Sequence, residues 1–291
     1  MGERLGDYEL LEPLAHGGMG EVFLARSARH GTVALKRMLP HLAKDAAFAR
    51  RFLEEAGLAA RVLHPNVVRT LELGEAQGTF FIAMEHVDGL DLRRVLASGP
   101  LAWPVAVQVA ALAARGLHAA HRATDARGAP LRIVHADVSP HNVLLGRNGA
   151  VKLIDFGVAR AVTQAHRAEL LLGKYAYLSP EQAEELPLEP RSDEFSLAVV
   201  LWEALTGQKL FDAANDAATL QKVLDCQVVP PSRVHGHLPR PLDAVVLRAL
   251  SAEPTRRYPT LLAFEEALTE VLALAPEPPD LAAALKDRLE R

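Results

Sequence analysis

Short hydrophobic runs separated by glycine-containing turns fill the first part of the chain. The segments "YELLEPLA", "EVFLARSA" and "TVALKRML" are typical of β-strands, and "HGGMG" and "RHG" are typical of the turns between them. Two further strands are predicted within "VVRTLELGEAQGTFFIAMEHV", on either side of a turn that contains Gly78. One stretch, residues 45–63, instead places apolar residues such as Phe48 and Phe52 at helical spacing. We expect that helix to stop at "HPN", where Pro65 disfavours its continuation.

From about residue 90 onward the hydrophobic pattern becomes helical. Long helices are predicted in "PVAVQVAALAARGLHAAHRA", "SDEFSLAVVLWEALTG", "LPRPLDAVVLRALS" and "TLLAFEEALTEVLALA", the second of them ended by Gly207. After a stiff "PEPP" spacer, "DLAAALKDRLER" is typical of an amphipathic helix with its leucines on one face. This tail could dock on the preceding lobe, bind a partner or lead to a further domain. The pattern predicts an α+β protein with a β-rich small lobe and a mainly helical large lobe.

Composition and charge narrow the class of protein. The chain has 291 residues, 49% hydrophobic and 23% charged, with a formal charge of −4, which gives no reason to expect nucleic acid or an anionic membrane as a partner. No apolar run is long enough for a membrane span and the N-terminus lacks a signal-peptide pattern, so we expect a soluble cytoplasmic protein. Cys226 is the only cysteine. His118 and His121 have metal-compatible spacing without a third ligand, and we interpret them as core positions.

Two segments of the small lobe could bind a nucleotide. In "LAHGGMGEVFLA" a glycine turn between two strands would let backbone N–H groups approach phosphate oxygens, although an ordinary hairpin has the same pattern. A strand rather than a helix follows, which disfavours a dinucleotide-binding fold. Sixteen residues after Gly20, "VALK" ends in Lys36, which by itself could be a solvated strand end.

Two segments of the large lobe carry candidate catalytic groups. In "HADVSPHN", Asp137 and Asn142 are five residues apart, and thirteen residues later "LIDFGVA" supplies Asp155, Phe156 and Gly157. Side-chain oxygens of Asn and Asp suit a hard cation such as Mg²⁺.

All these motifs, in this order, resemble those of the protein kinase family, and the chain is identified as a member of its bacterial, eukaryotic-like serine/threonine class. The resemblance implies a two-lobed kinase domain over residues 8–272, with a small lobe at 8–84, a hinge at 85–88 and a large lobe at 89–272. Residues 273–291 would be the spacer and the terminal helix. Aminoglycoside-type phosphotransferases share the Asp–Asn loop but would not be expected to carry "YLSPEQ".

The resemblance also assigns the nucleotide site. Lys36 would contact the ATP phosphates and be held by Glu55, whereas Glu54 points roughly 100° around the helix. Met84 would be the gatekeeper, with backbone groups of Glu85 and Val87 facing adenine. The implied nucleotide-binding residues are Leu14, Ala15, His16, Gly17, Gly18, Met19, Gly20, Glu21, Val22, Ala34, Lys36, Met84, Glu85, Val87 and Leu144.

By the same resemblance, Asp137 would orient or accept the proton of the attacking hydroxyl, and Asn142 and Asp155 would bind Mg²⁺, with Mn²⁺ as an alternative. His135 would pack structurally, without an acid–base role.

The resemblance implies a supporting framework as well. Glu181 of "YLSPEQ" would form a buried ion pair with Arg257, and Asp193 would hold the backbone of the catalytic loop.

Three departures from the family pattern concern glycine or basic residues. Ala15 replaces the first glycine of the loop. Ala136 replaces an arginine that pairs with a phosphate on the activation segment, and Thr163, Tyr175 and Tyr177 are the only hydroxyl residues between Gly157 and Ser179, so we expect a kinase that is not switched by phosphorylation there.

Ser139 replaces a lysine that contacts the γ-phosphate. Lys174 stands where the family has a threonine, which suggests that a hydroxyl and an ammonium have exchanged places, although Lys174 could equally be a solvated loop residue. The sequence therefore predicts an ATP-dependent kinase acting on Ser or Thr of a protein substrate. The alternative is a pseudokinase that serves as an ATP-binding scaffold. The oligomeric state stays open.

Overall fold

The computed structural model describes residues 3–17, 20–43, 45–156 and 175–290, with the backbone alone described at Glu54, Glu55 and several neighbouring helical positions. The first part of the chain forms an antiparallel sheet. Its strands follow the order β1-β2-β3-β4-β6-β5. They are β1 (Arg4–Leu5), β2 (Tyr8–Gly17), β3 (Gly20–Ser27), β4 (Gly31–Met38), β5 (Thr70–Ala76) and β6 (Thr79–Glu85). The strands predicted from the hydrophobic runs are confirmed.

Helices α1 (Pro40–Ala43) and α2 (Ala46–Ala59) lie between β4 and β5. The prediction that α2 extends to the residues before "HPN" is wrong, because the helix ends at Ala59. Two i→i+3 hydrogen bonds tighten the chain there, from the Arg61 N–H to Leu58 and from the Val62 N–H to Ala59. This early turn lets the Val68 N–H reach the carbonyl of Leu153 in the large lobe, at 2.9 Å.

The rest of the described chain forms a mainly helical lobe with a small antiparallel sheet at its edge. That sheet contains β7 (Gly89–Asp91), β8 (Val143–Gly146) and β9 (Val151–Leu153). The helices are α3 (Leu92–Leu96), α4 (Trp103–His121), α5 (Pro180–Ala183), α6 (Pro190–Thr206), α7 (Asp216–Asp225), α8 (Pro231–Val234), α9 (Arg240–Ala249), α10 (Leu261–Leu272) and α11 (Leu281–Leu289). The predicted α+β division into a small β-lobe and a large helical lobe is confirmed.

Helix α6 runs through the middle of the large lobe. Nearly all of its residues are buried, as expected for a helix that is surrounded on every side. It ends as predicted at Gly207, whose left-handed backbone (φ 69°) lets its N–H donate to the Glu203 carbonyl at 2.7 Å.

The terminal helix α11 docks on the large lobe, which is one of the three outcomes that the sequence left open. Leu281, Leu285 and Leu289 are buried in the same hydrophobic core as α4 and α6. The Arg288 guanidinium donates to the carbonyls of Gly99 and Pro100, each at 2.7 Å. The tail therefore completes the core of the large lobe beside α3.

Candidate active site

A cavity of about 210 Å³ lies between the small sheet and the large lobe. Apolar side chains of β2, β3 and β4 form its roof, and residues of β8 and of the segment after β9 form its floor. Nine of the predicted nucleotide-binding residues line it: Leu14, Ala15, Val22, Ala34, Lys36, Met84, Glu85, Val87 and Leu144. The structure therefore brings the predicted walls of the nucleotide site around one cleft.

The predicted phosphate loop is the tip of the β2–β3 hairpin. Its strands pair Ala15 with Val22, His16 with Glu21 and Gly17 with Gly20. Gly18 and Met19 lie outside the described residues. Gly20 has a packing reason to be glycine, because a Cβ there would collide with the Arg37 carbonyl of β4.

Met84 stands between this cavity and a smaller one behind it. It lines both, and the smaller cavity reaches Phe52 of α2 and Phe156 in the large lobe. The predicted gatekeeper is therefore placed at the boundary between the two cavities.

The ammonium of Lys36 projects from β4 into the cleft. Its Nζ donates to Asp155 Oδ1 at 2.6 Å, across the gap between the two lobes. The Lys36 residue is only 9% exposed, and among the described residues the Asp155 carboxylate compensates its charge. The predicted partner Glu55 lies on α2, but its side chain is outside the described residues, so the Lys36–Glu55 pair stays a prediction.

The backbone of Asp155 has φ 59°, an unfavourable conformation for a residue with a Cβ. The neighbouring Phe156 is buried against the ring of His135, with 4.5 Å between the ring centroids, and His135 Nε2 lies 2.9 Å from the Ile154 carbonyl. These contacts fix the direction of Asp155 and agree with the structural interpretation of His135. Strained residues held by their surroundings are typical of functional sites.

Asp137 and Asn142 lie side by side in the catalytic loop. The Asn142 amide nitrogen donates to the backbone carbonyl of Asp137 at 2.7 Å and to the Asp137 carboxylate oxygen Oδ2 at 2.9 Å. The Asn142 carbonyl accepts from the Ile154 N–H at 3.1 Å, which ties the loop to the residue before Asp155. Asp137 and Asn142 are thus hydrogen-bonded to each other, and Asn142 is tied through the backbone to the residue before Asp155.

The predicted support from α6 is confirmed. The Asp193 carboxylate accepts the backbone N–H of His135 at 2.8 Å and that of Ala136 at 2.8 Å. Burial opposes its charge, but the hydrogen bond from His121 (2.7 Å) and the backbone N–H groups hold the pKa of Asp193 below its usual value. Ala136 needs this support, because its φ is 60°.

The predicted ion pair between Glu181 and Arg257 is also confirmed. Two hydrogen bonds of 2.7 and 2.9 Å join the guanidinium to the carboxylate, and both side chains are buried. Burial opposes ionisation, yet Arg257 holds the pKa of Glu181 below its usual value.

Ser139, the replacement for the family lysine, is only 1% exposed. Its hydroxyl has no hydrogen-bond partner among the described residues. Lys174, Thr163 and Gly157 lie outside the described residues, so the exchange of Ser139 and Lys174 stays a prediction.

Several residues at the site were not predicted. His121, interpreted as a core position, contacts Asp193 instead of a metal, and the described residues contain no group of three or more potential metal ligands.

Asp91, Arg94 and His141 also line the cleft. Asp91 carries a local signal, because it precedes a helix and its side chain accepts the Arg94 N–H.

The protein kinase class is defined by a small β-lobe and a helical lobe, with the Lys36–Asp155 pair in the cleft between them and the Asp137–Asn142 pair in the loop beside it. The family model described as "Protein kinase domain" matches residues 8–269, and the chain belongs to the protein kinase family.

Relatives with curated names include two bacterial kinases. The tyrosine-protein kinase MasK of Myxococcus xanthus is 42% identical over 281 residues, which cover 92% of this chain and 43% of MasK. The serine/threonine-protein kinase PknB of Mycolicibacterium smegmatis is 41% identical over 263 residues, covering 87% of this chain and 41% of PknB. The chain thus spans less than half the length of these relatives.

Among solved structures, the crystal structure of the Mycobacterium tuberculosis PknI kinase domain superposes with a TM-score of 0.73 at 28% identity. The match covers 94% of this chain and 98% of that domain. None of the described helices is both long enough and apolar enough to cross a bilayer.

Proposed function

We propose that this kinase transfers the γ-phosphate of Mg·ATP to a hydroxyl of a protein substrate, with preference for Ser and Thr. The observation that carries the proposal is one cleft with apolar walls that is also lined by Lys36 and Asp155. The loop with the Asp137–Asn142 contact adjoins it, because the Asn142 carbonyl accepts the N–H of the cleft residue Ile154. This arrangement can hold a nucleotide and place its phosphates beside the catalytic carboxylate.

We expect the backbone of the hinge to bind adenine. The Glu85 Oε1 accepts from Lys152 at 2.7 Å and from the Arg69 N–H at 2.8 Å, and the Glu85 N–H donates to the Arg69 carbonyl at 2.9 Å, so these groups are already engaged. The backbone N–H and carbonyl of Val87 form no hydrogen bond with another described residue. They offer the donor and acceptor that the edge of a purine requires.

Asn142 and Asp155 fit a magnesium ion. The Asn142 amide nitrogen is used by Asp137, so its oxygen is the atom that can face a cation, and Asp155 adds a carboxylate. Both are the oxygen donors that Mg²⁺ prefers, and the ion when bound neutralises charge on the phosphates. Asp137 orients the acceptor hydroxyl and takes its proton, and Lys36 holds the phosphates.

The choice of hydroxyl draws on the relatives. PknB proteins of several mycobacteria are named serine/threonine kinases, whereas MasK is named a tyrosine kinase. The Ser/Thr preference follows the PknB relatives and the "SPEQ" segment. Phosphoamino-acid analysis of the product separates the two, and phosphotyrosine alone would reverse the assignment.

We further propose that activity does not depend on phosphorylation of the activation segment. Ala136 has only a buried methyl group where a phosphate-binding arginine would act. The Tyr177 hydroxyl donates to Glu203 at 2.6 Å, and burial together with Glu203 raises the pKa of that phenol. This tyrosine is therefore engaged inside the lobe and is a poor acceptor for a phosphate.

The test is transfer of radiolabelled phosphate from ATP to the chain itself and to a generic protein substrate, with and without Mg²⁺. We expect transfer that requires the metal and survives phosphatase treatment and Thr163→Ala. Loss of activity after either treatment would contradict phosphorylation independence. Nucleotide binding without any transfer would favour the ATP-binding scaffold.

A further inference from the structure

The side chain of Gln182 connects the catalytic loop to the end of the activation segment, 46 residues away in the sequence. Its Nε2 donates to the Ala136 carbonyl at 2.8 Å, and its Oε1 accepts from the Ser179 N–H at 3.0 Å. The residue is 5% exposed. Because a carbonyl can only accept and a backbone N–H can only donate, these two partners allow a single orientation of the Gln182 amide.

The group that Gln182 holds is the peptide bond directly before Asp137. Its carbonyl accepts from Gln182, and its N–H, which belongs to Asp137, lies 3.3 Å from His135 Nδ1. The peptide bond before it donates to Asp193 through the Ala136 N–H. The left-handed backbone of Ala136 is therefore fixed on both sides, and with it the direction in which the Asp137 side chain leaves the chain.

The other end of the Gln182 connection is firmly anchored. Ser179 and Gln182 form a reciprocal capping box at the start of α5. The neighbouring Glu181 is held by Arg257 through two hydrogen bonds, and Arg257 also donates to the carbonyls of Arg191 and Ser251. Gln182 therefore ties the catalytic loop to the core of the large lobe.

We propose that Gln182 is a positioning residue for Asp137. It fixes the peptide bond that precedes Asp137, and it links the catalytic loop to the activation segment without a phosphate group. The link is made through the backbone of Ala136, the residue whose side chain is too short to make such a connection. This inference rests on the proposed phosphotransferase function.

The test uses Gln182→Glu, which keeps the capping box but removes the contact with the catalytic loop. The introduced carboxylate still accepts the Ser179 N–H and completes the capping box, but it cannot donate to the Ala136 carbonyl when ionised. We expect kcat to fall by about 10- to 100-fold, because small misplacements of a catalytic group carry penalties of that order. The KM for ATP should change little, and the melting temperature is measured alongside because a carboxylate buried against a carbonyl also lowers stability. Gln221→Ala, on the exposed face of α7, is the control and should leave all three unchanged.

Hydrogen exchange of the peptide covering residues 133–145 provides a second readout that needs no activity. We expect faster exchange in Gln182→Glu and in the uncharged Gln182→Met than in the unchanged chain. Unaltered kcat together with unaltered exchange would overturn the proposal, as would a loss of kcat that only matches the fraction of unfolded protein. If the unchanged chain transfers no phosphate, the proposed function fails, and the exchange comparison still decides whether Gln182 holds the loop.

Discussion

Two parts of the catalytic loop are both buried but differ in their hydrogen bonding. One is the backbone at residues 135 and 136, and the other is the side chain of Ser139. Both backbone N–H groups donate to Asp193, whereas the Ser139 hydroxyl has no partner among the described residues. A buried polar group without a partner is costly. We therefore expect the segment 157–174 or a bound phosphate to supply a hydrogen-bond partner for the Ser139 hydroxyl. The large lobe therefore holds the backbone that carries Asp137, whereas the Ser139 hydroxyl of the same loop gains no hydrogen bond from the described residues.

The same contrast occurs within α6. Asp193 and Glu194 are neighbours and are both buried, but Asp193 accepts three hydrogen bonds. Among the described residues Glu194 accepts only the Tyr258 N–H, and its Oε2 has no partner there. The pKa of Asp193 is lowered, and burial raises the pKa of Glu194 to about 8. The number of donors, rather than burial alone, decides whether a carboxylate in this helix is charged.

The largest effect should come from Asp193→Asn, which replaces the carboxylate that accepts three hydrogen bonds. The amide would place a donor opposite a backbone N–H, and we expect the free energy of unfolding to fall by about 3–5 kcal/mol, with turnover almost lost. Chemical denaturation and phosphate transfer measure both. Asp216→Asn, the same change at an exposed position, should alter neither.

The next largest effect should come from substitutions that test the predicted exchange of Ser139 and Lys174. Lys174→Ala removes a cation that we expect near the γ-phosphate and should lower kcat by about 10²-fold or more. Ser139→Lys combined with Lys174→Thr should restore much of that loss, and simply additive losses in the double variant would contradict the exchange. Lys286→Ala, in exposed surroundings on α11, is the control.

A smaller effect should follow from Glu194→Gln. The folded-state pKa of about 8 lies above the ordinary value of 4.5, so the folded chain binds more protons at Glu194 than the unfolded chain between these values. The contribution of Glu194 to stability is therefore complete below pH 4.5 and is lost as the pH rises through 8.

Between pH 6 and pH 9 this loss should amount to about 2–3 kcal/mol, and Glu194→Gln should abolish that part of the pH dependence. Denaturation curves across this pH range measure it. Glu266→Gln, at an exposed position of α10, should keep the full dependence. Identical slopes for the unchanged chain and Glu194→Gln would show that Glu194 is charged at neutral pH.

The sequence predicted those features that depend on residue type and spacing. The short hydrophobic runs between glycine turns predicted the small sheet. The motifs that contain Lys36, Asp137, Asn142 and Asp155 matched a family pattern, so these residues were found before their geometry was known. The Glu181–Arg257 and Asp193 contacts followed from the same pattern.

The features that were missed join residues far apart in sequence without a local signal. Gln182 reaches Ala136 across 46 residues, and His121 reaches Asp193 across 72. Histidine spacing on a helix suggests a metal as readily as an ion pair, and only packing decides between them. The early end of α2 was missed because the hydrophobic pattern continues past the point where the chain turns back toward β9.

We assign phosphoryl transfer to Asp137, and we expect the cleft to bind ATP independently of this residue. The direct test compares Asp137→Asn with Asp216→Asn, measuring ATP affinity by calorimetry and phosphate transfer under the same conditions. We predict that Asp137→Asn binds Mg·ATP within about threefold of the unchanged chain and loses at least about 10²-fold in transfer, whereas Asp216→Asn retains both. Transfer by Asp137→Asn at the rate of the unchanged chain would contradict the account.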